Sequence, residues 1–303
     1  MAKNYPNLWS KAQQWYSSGE TFDWQRNQIF YRRSGSGPPM LLIHGFPTAG
    51  CDWVDIAAEL EPHFSLIVPD LIDYGQSKNN TGKTYHIHDQ ADMLEALLEQ
   101  LGIERLHLLV HDVGDTVGQE IIARHNEGSF CATVESCILL NGGILPAEHR
   151  PRAVQKQLLG PFGPLIARFM SRKKFMRVVA SVFGPETRPD EASQADLWKI
   201  CEGVNGRAAL SRKIQYMKDR WQHEKRWVGA LQQTNLRLLM INGEADPVSG
   251  GHACDAIEKQ IPAMEIIRLP GIGHFPPTEA PADVSRYVLA FHEVRACGSL
   301  QSN

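Results

Sequence analysis

Three side chains that could form a catalytic triad lie at well separated points of the sequence. Asp112 follows the apolar run 106–110, Asp246 lies in GEADPV, and His274 lies in GIGHFP. A serine hydrolase would carry G-x-S-x-G at the turn that Asp112 occupies, and the chain has no such motif. The order nucleophile, acid, histidine therefore predicts a triad whose nucleophile is an aspartate.

The type of nucleophile decides which reaction such a triad could catalyse. A carboxylate that attacks an acyl carbon would give an anhydride, whereas attack on a saturated carbon with a leaving group gives an alkyl ester. The ester then needs a second step, in which His274, oriented by Asp246, deprotonates a water that attacks the carboxyl carbon of Asp112. The sequence therefore predicts hydrolysis at an sp3 carbon.

Two backbone N–H groups are expected to form an oxyanion hole for the second step. One belongs to Val113, directly after the nucleophile, and the other to Phe46 in the HGFP stretch. The helix that begins after Asp112 places the positive end of its dipole beside the carboxylate. This favours the ionised form that a nucleophile needs.

Short apolar strands that alternate with helical patterns position these residues. Strands are predicted at 41–43, 64–68, 106–110, 134–140, 236–241 and 265–269, with helices at 52–61, 87–101 and 281–294 and an extended pair at 22–33. This alternation predicts an α/β fold with a mostly parallel central sheet. Ligands bind such sheets at the carboxyl ends of the strands, where the candidate residues lie.

The pattern changes at about residue 146, where a helical, basic and tryptophan-rich segment begins. No clear strand follows until Leu236. We therefore predict an α/β core domain from 1–145 and 231–303, with a helical cap domain from 146–230 inserted into it. Its tryptophans Trp198, Trp221 and Trp227 are expected in the core of the protein rather than in a pocket.

Composition limits the cellular setting and the partners. The chain has 303 residues, a net charge of −3 and no long run of one sign, so we expect no nucleic-acid and no membrane partner. Its six cysteines, Cys297 among them, show no disulfide or metal-ligand spacing and are expected to be free thiols in the cytoplasm. No signal peptide or membrane span is evident. Nothing implies a metal or an organic cofactor.

Several motifs together resemble the α/β-hydrolases that use an aspartate nucleophile, a family that includes epoxide hydrolases and haloalkane dehalogenases. These motifs are HGFP, VPDLIDYGQS, HDVG, GEADPV and GHFPPTEAP, and the resemblance runs from about residue 38 to residue 292. Within that family, HDVGDTVGQE, LNGGILPAEHRP and FGPETRP are similar to the mesoderm-specific transcript branch. The resemblance implies an α/β-hydrolase fold with an inserted helical cap.

The family resemblance also bears on the leaving group. Dehalogenases usually hold a halide with Trp after the nucleophile and often Asn in the HG-x-P loop, where this chain has Val113 and Phe46. Epoxide hydrolases keep HGFP and protonate the epoxide oxygen with two cap tyrosines. Segment 146–230 has one tyrosine, Tyr216, and His149, His223 or a water could replace the other. Some dehalogenases have the acid of the triad at the position of Asn141, but an asparagine cannot serve as this acid.

These observations favour an epoxide hydrolase that acts on a small hydrophobic organic substrate. The alternatives on the same triad are a haloalkane dehalogenase and an enzyme that cleaves lactones or esters. An alternative of another class is a binding protein that keeps the fold without turnover, for which a complete triad would be unnecessary. The sequence does not indicate the oligomeric state.

Overall fold

In the computed structural model, the description covers the backbone of residues 2–298 and the side chains of residues 2–292. Eight strands form one sheet in the order β1-β2-β4-β3-β5-β6-β7-β8. Only the β1–β2 and β2–β4 pairs are antiparallel, so the predicted mostly parallel sheet is confirmed. The strands are β1 (Glu20–Trp24), β2 (Asn27–Ser34), β3 (Pro39–Ile43), β4 (Ser65–Pro69), β5 (Arg105–His111), β6 (Thr133–Leu140), β7 (Arg237–Gly243) and β8 (Glu265–Leu269).

Fourteen α-helices surround or extend this sheet within the described residues. All predicted strands and helices are present, and the helix at the N-terminus is an element that the sequence patterns did not predict. The helices are α1 (Leu8–Ser17), α2 (Val54–Leu60), α3 (Ile87–Gln100), α4 (Val113–Asn126), α5 (Ala153–Leu159), α6 (Gly163–Phe169), α7 (Arg172–Ala180), α8 (Glu191–Glu202), α9 (Leu210–Lys213), α10 (Tyr216–Gln222), α11 (Glu224–Gln233), α12 (Gly251–Gln260), α13 (Pro276–Glu279) and α14 (Pro281–Gly298).

The central strands are largely apolar because both faces of the sheet are covered. In β3, Leu41 and Ile43 belong to the cluster that also contains buried residues of α3 and α4. Met40 and Leu42, on the opposite face, belong to the cluster with buried residues of α2 and α14. Alternate side chains of a strand point to opposite faces, which explains why these runs show no polar alternation.

The chain between β6 and β7, all of which is described, forms seven α-helices and no strand. The last of them, α11, packs on α4, where the Trp227 indole donates to Glu120 Oε2 at 2.7 Å. Trp198 and Trp227 are buried as expected, but Trp221 is 60% exposed, so its predicted place in the core is wrong. The domain boundaries at 146 and 230 stay a prediction.

Two further findings concern the cysteines and the membrane. The five cysteines whose side chains are described are all free thiols, and Cys297 lies outside those side chains. Among the described helices, none has the length and apolar character needed to cross a bilayer.

Candidate active site

Asp112 occupies a sharp turn between β5 and α4. Its backbone has φ 49° and ψ −103°, a conformation that costs a non-glycine residue about 1–3 kcal/mol. Gly114 makes the turn possible, because a Cβ at this position would collide with the carbonyl oxygen of Ile43 at the end of β3. The HDVG sequence thus positions the Asp112 side chain at the carboxyl edge of the sheet.

The structure brings His274 and Asp246 together from two different strand ends. The Nδ1 atom of His274 lies 2.7 Å from Oδ2 of Asp246. The acid is fixed in turn by the N–H of Val248, which donates to Oδ1 at 2.8 Å, and by the Ser249 hydroxyl, which donates to Oδ2 at 2.9 Å. This arrangement directs Nε2 of His274 towards the carboxylate of Asp112.

Asn141 has a part in the site that the sequence did not predict. It lies directly after β6, and its Nδ2 donates to Asp246 Oδ2 at 3.1 Å. Its own Oδ1 accepts the N–H of Gly243 at 2.7 Å, which fixes the orientation of the amide. Asn141, at the position where some dehalogenases have the acid of the triad, thus orients Asp246 instead. The sequence signal that could have indicated this part was the position of Asn141 at the end of a strand.

The carboxylate of Asp112 lies between His274 and the HGFP loop. Its Oδ2 accepts the N–H of Phe46 at 3.0 Å and lies 3.7 Å from His274 Nε2. The second predicted oxyanion-hole donor, Val113, is the first residue of α4, and no hydrogen bond from its N–H to Asp112 is found among the described residues. The N–H of Phe46 thus contacts the carboxylate of Asp112, and the oxyanion-hole roles of Phe46 and Val113 both stay predictions.

Arg220 is a functional residue that the sequence interpretation missed. It comes from α10, is 2% exposed, and its Nη2 donates to the backbone oxygen of Asp112 at 2.9 Å and to Oδ1 at 3.2 Å. Its Nε donates to the Thr116 hydroxyl at 2.7 Å. The sequence signal was its position four residues after Tyr216 on one helix, which places both side chains on the same face.

The surroundings favour the ionised form of Asp112. Burial alone would raise its pKa, but the interaction with His274 and the positive charge of Arg220 outweigh burial and hold the pKa well below its ordinary value. For His274, burial acts against the charged form, yet the two carboxylates Asp246 and Asp112 together raise its pKa above the ordinary value. The resting site therefore favours an ion pair between Asp112 and a protonated His274.

Three buried polar groups beside this ion pair have no hydrogen-bond partner among the described residues. They are the hydroxyl of Tyr216, both ring nitrogens of His149 and Nη1 of Arg220. The Arg220 guanidinium stacks 4.6 Å from the Tyr216 ring centre, and a Cβ at Gly143 would touch both Arg220 and His149. Buried polar groups are rarely left unsatisfied, so this cluster is suited to bind polar atoms of a ligand.

The two histidines that could replace a second tyrosine differ in their placement. Burial and the charge of Arg220 lower the pKa of His149 to about 3, so that a neutral imidazole faces the cluster. His223 instead packs against His88 and Trp227, with ring centres 4.6 Å and 5.1 Å away. Among the described residues, no group of three or more His, Cys, Asp or Glu side chains could hold a metal ion.

A small apolar cavity of about 40 Å³ opens beside His274. It has room for only a few heavy atoms, because one water already needs roughly 10–15 Å³ of such space. A larger substrate therefore requires side chains of the cap to move. The cavity is lined by Phe46, Pro47, Arg152, Val154, Gln155, Phe175, Val178, Val179, Val182, Val248, His274 and Phe275.

The contact between Arg220 and Asp112 predicts a change in pH dependence. Replacing Arg220 by Met removes a positive charge that lowers the pKa of Asp112, so this pKa should rise towards its ordinary value. Because attack needs the ionised carboxylate, the acid limb of the rate–pH profile is expected to move to higher pH by the same amount. The measurement is kcat/KM against pH for the wild type and the variant.

Arg212 offers a matched control for this experiment. Like Arg220, it reaches from the cap segment to a carboxylate, with Nη2 2.6 Å from Oδ1 of Asp73. Arg212→Met should destabilise the docking of the segment without moving the acid limb. An unchanged limb in Arg220→Met, or an equal shift in both variants, would contradict the assigned role.

Comparison with known proteins confirms the predicted fold and the predicted resemblance. Residues 38–281 match the family described as alpha/beta hydrolase fold. The mesoderm-specific transcript homolog protein of Bos taurus is 36% identical over 288 residues, which cover 91% of this chain and 86% of that protein.

Two solved structures show the same fold at low sequence identity. The haloalkane dehalogenase DbeA-M1 loop variant from Bradyrhizobium elkanii has a TM-score of 0.77 at 21% identity, over 94% of this chain and 99% of that one. The Cif epoxide hydrolase from Acinetobacter nosocomialis has a TM-score of 0.76 at 15% identity, over 96% and 98% of the two chains. At these identities the likeness shows the fold alone.

Proposed function

The chain belongs to the α/β-hydrolase family, and from this premise we propose that it hydrolyses epoxides to vicinal diols through an ester formed on Asp112. One observation carries the proposal: a buried, ionised carboxylate at the nucleophile turn lies beside a cluster of unpartnered donors that includes the Tyr216 hydroxyl. An epoxide needs this combination, because its carbon is attacked while its oxygen must acquire a proton.

In the first step, Oδ1 of Asp112 attacks an epoxide carbon and the C–O bond of the ring breaks. Oδ2 stays on the Phe46 N–H, and Oδ1, which Arg220 Nη2 contacts at 3.2 Å, is the oxygen that attacks. The Tyr216 hydroxyl gives its proton to the epoxide oxygen. Burial and the nearby charge of Asp112 raise the pKa of Tyr216, but ester formation removes that charge and Arg220 stabilises the resulting phenolate.

Ester formation also changes the state of His274. The charge of Asp112 is one of the two that raise the pKa of His274, so its loss lowers this pKa and releases the proton. His274 can then take a proton from a water that attacks the carboxyl carbon of Asp112. The base for the second step is thus activated by the first.

The second step restores every group. The oxyanion on Oδ2 is held by the Phe46 N–H, with the Val113 N–H as the predicted second donor. The bond from the carboxyl carbon to Oδ1 breaks, and the diol oxygen takes the proton of His274. The new carboxyl group of Asp112 returns its proton to Tyr216. As the charge of Asp112 returns, the pKa of His274 rises again and the imidazole regains from solvent the proton that it released after ester formation. The water oxygen remains on Asp112, and the net reaction is epoxide plus water to diol.

Tyr216→Phe should separate epoxide opening from halide displacement. Without the hydroxyl, the epoxide oxygen leaves unprotonated, and we expect kcat/KM for epoxides to fall about 10²-fold. Displacement of bromide from a bromoalkane needs no proton, so any alkylation of Asp112 by bromoalkanes should be unchanged. The measurement compares diol formation and bromide release over one panel of terminal and aryl epoxides and matched bromoalkanes.

Tyr74→Phe is the matched control, because Tyr74 is equally buried and its hydroxyl donates to the backbone of Lys213 at 3.3 Å. It should leave the epoxide rate within about threefold. Equal losses for epoxides and bromoalkanes in Tyr216→Phe would contradict the role of Tyr216 as a proton donor. Release of bromide without any diol formation by the wild type would replace the epoxide proposal with dehalogenation.

A further inference from the structure

Helix α6 in the cap segment buries its small residues and exposes its large apolar ones. Gly163 and Ala167 are buried, whereas Phe162, Leu165 and Phe169 are 70%, 58% and 74% exposed. The three exposed residues are spaced three and four apart, so they share one side of the helix. A cluster of exposed apolar side chains indicates an interaction surface, whereas an ordinary solvent-exposed surface has such side chains singly.

A group of exposed cations lies on α6 and on the helices that precede and follow it, α5 and α7. Six of them form no ion pair with any described residue, although Arg124, Arg226 and Arg268 elsewhere in the chain each contact at least two carboxylates. No aspartate or glutamate occurs from residue 149 to residue 185, a stretch with eight lysines and arginines. The six exposed cations, which we call the basic rim, are Lys156, Arg168, Arg172, Lys173, Lys174 and Arg177.

The charge of the whole chain is distributed unevenly. Residues 146–230 contain 17 lysines and arginines and 8 aspartates and glutamates, a net charge of +9. The rest of the chain contains 14 lysines and arginines and 26 aspartates and glutamates, a net charge of −12. The two parts together give the overall net charge of −3. A negatively charged surface would therefore attract the cap segment and repel the remainder, which fixes the orientation of approach.

We propose that this side of the cap docks on the surface of an anionic lipid membrane. Phe162, Leu165 and Phe169 would enter the boundary between headgroups and acyl chains, and the basic rim would contact the lipid phosphates. Apolar side chains flanked by lysine and arginine are the pattern of proteins that lie on a membrane rather than span it. The overall charge of −3 gave no indication of this surface, because the positive charge of the cap segment is offset by the negative charge of the rest. The proposal therefore differs from the expectation of no membrane partner.

The shape of the surface favours a membrane over an acidic protein. Two surface grooves are lined by residues of the cap segment, and neither lining includes Phe162, Leu165 or Phe169. The rings of Phe162 and Phe169 are largely exposed and belong to no groove. Exposed rings outside any groove suit a deformable medium, whereas a protein partner recognised at this place would need a matching pocket of its own.

Docking in this orientation would place the cavity near the membrane. Helices α5 and α7, which precede and follow α6, supply Val154, Phe175 and Val179 to the cavity beside His274. An apolar substrate dissolved in the bilayer would thus meet the part of the cap that lines the site. This consequence rests on the proposed function, whereas the docking itself does not require turnover.

Vesicle flotation tests the docking directly. The full chain is mixed with vesicles of phosphatidylcholine, either alone or with about 30% phosphatidylglycerol, at about 0.1 M salt. We expect binding to the anionic vesicles that is at least tenfold stronger than to the neutral ones and that weakens as salt rises. The triple change Phe162→Ser, Leu165→Ser and Phe169→Ser, and separately Arg172→Glu, Lys173→Glu and Lys174→Glu, should each reduce it about tenfold or more.

Matched changes on other surfaces control for exposure and for charge. Trp221→Ser removes another exposed apolar residue of the cap, and Arg33→Glu, Lys83→Glu and Lys259→Glu together change the net charge by the same amount as the rim variant. Both controls should bind like the wild type. Absence of vesicle binding, equal binding to neutral vesicles, or losses in the controls as large as in the variants would overturn the proposal.

Light scattering without lipid supplies one further outcome. The wild type should have the same mass in solution as the variant with three serines on α6. Self-association that this variant abolishes would overturn the proposal in favour of an interface between two copies. Because none of these measurements needs a substrate, failure of the proposed reaction would leave them interpretable.

Discussion

Asp112→Asn is expected to reduce turnover by at least about 10⁴-fold while the protein remains folded. The amide has the size of the carboxylate and tolerates the positive φ of 49° at this turn, but it cannot form the alkyl ester. Losses of this size are typical when a covalent nucleophile is removed. The measurement is steady-state diol formation with the best epoxide of the panel, with thermal unfolding followed in parallel.

Asp115→Asn controls for loss of a buried carboxyl group in the same helical turn. Asp115 is fully buried, and burial raises its pKa well above the ordinary value. The amide has nearly the size of the carboxyl group and Asp115 takes no part in the proposed steps, so we expect a loss of less than about tenfold. Retention of more than a tenth of the turnover in Asp112→Asn would show that the carboxylate is not the nucleophile.

His274→Gln is expected to stop the reaction after the first step. Glutamine cannot take a proton from water, so steady-state turnover should fall at least about 10³-fold. Attack by Asp112 does not require the base, because Arg220 and the Phe46 N–H still face the carboxylate. Epoxide should therefore be consumed in an amount equal to the enzyme, with no release of diol, in a rapid-mixing experiment.

His252→Gln serves as the control for this variant. His252 is a half-buried histidine on α12, and its ring contacts the backbone oxygen of Glu148 at 3.0 Å, away from the triad. Its turnover should stay within about threefold of the wild type. Continued release of diol by His274→Gln over many turnovers would mean that another group activates the water.

One property is shared by the residues singled out from the sequence that lie close together in the structure: each belongs to the turn or loop that follows an apolar run. Asp112 and Phe46 could be placed at one edge because parallel strands end on the same side of the sheet. The structure indeed brings them to a hydrogen bond of 3.0 Å. Asp246 and His274 could be paired on the same ground. Their contact of 2.7 Å follows from β7 and β8 being neighbours.

The contact between the cap segment and Asp112 through Arg220 was beyond the reach of the sequence. Arg220 contacts Asp112 across 108 positions of the chain, and only the packing of α10 over the sheet brings them together. Helical periodicity can place Tyr216 and Arg220 on one face of a helix, but it cannot show where that face points. Trp221, next in the chain, is exposed on the other side, which explains why counting tryptophans as core failed there.

The electrostatic coupling of the two steps is a consequence of the geometry alone. Two carboxylates flank one imidazole, Asp246 at 2.7 Å and Asp112 at 3.7 Å. Only the second of them changes its charge during the proposed cycle. In the proposed cycle, the same carboxylate that accepts the substrate thereby controls when His274 becomes a base, and a premature attack of water is avoided.

The central claim is that Asp112 forms an ester with an epoxide, and intact-protein mass spectrometry of His274→Gln tests it most directly. The variant is mixed with terminal and aryl epoxides, and digestion then locates any adduct. We predict a gain equal to the mass of the whole epoxide, located on the peptide with Asp112 and absent when Asp112→Asn is added. No gain with any epoxide, or a gain that survives the change at Asp112, would contradict the claim.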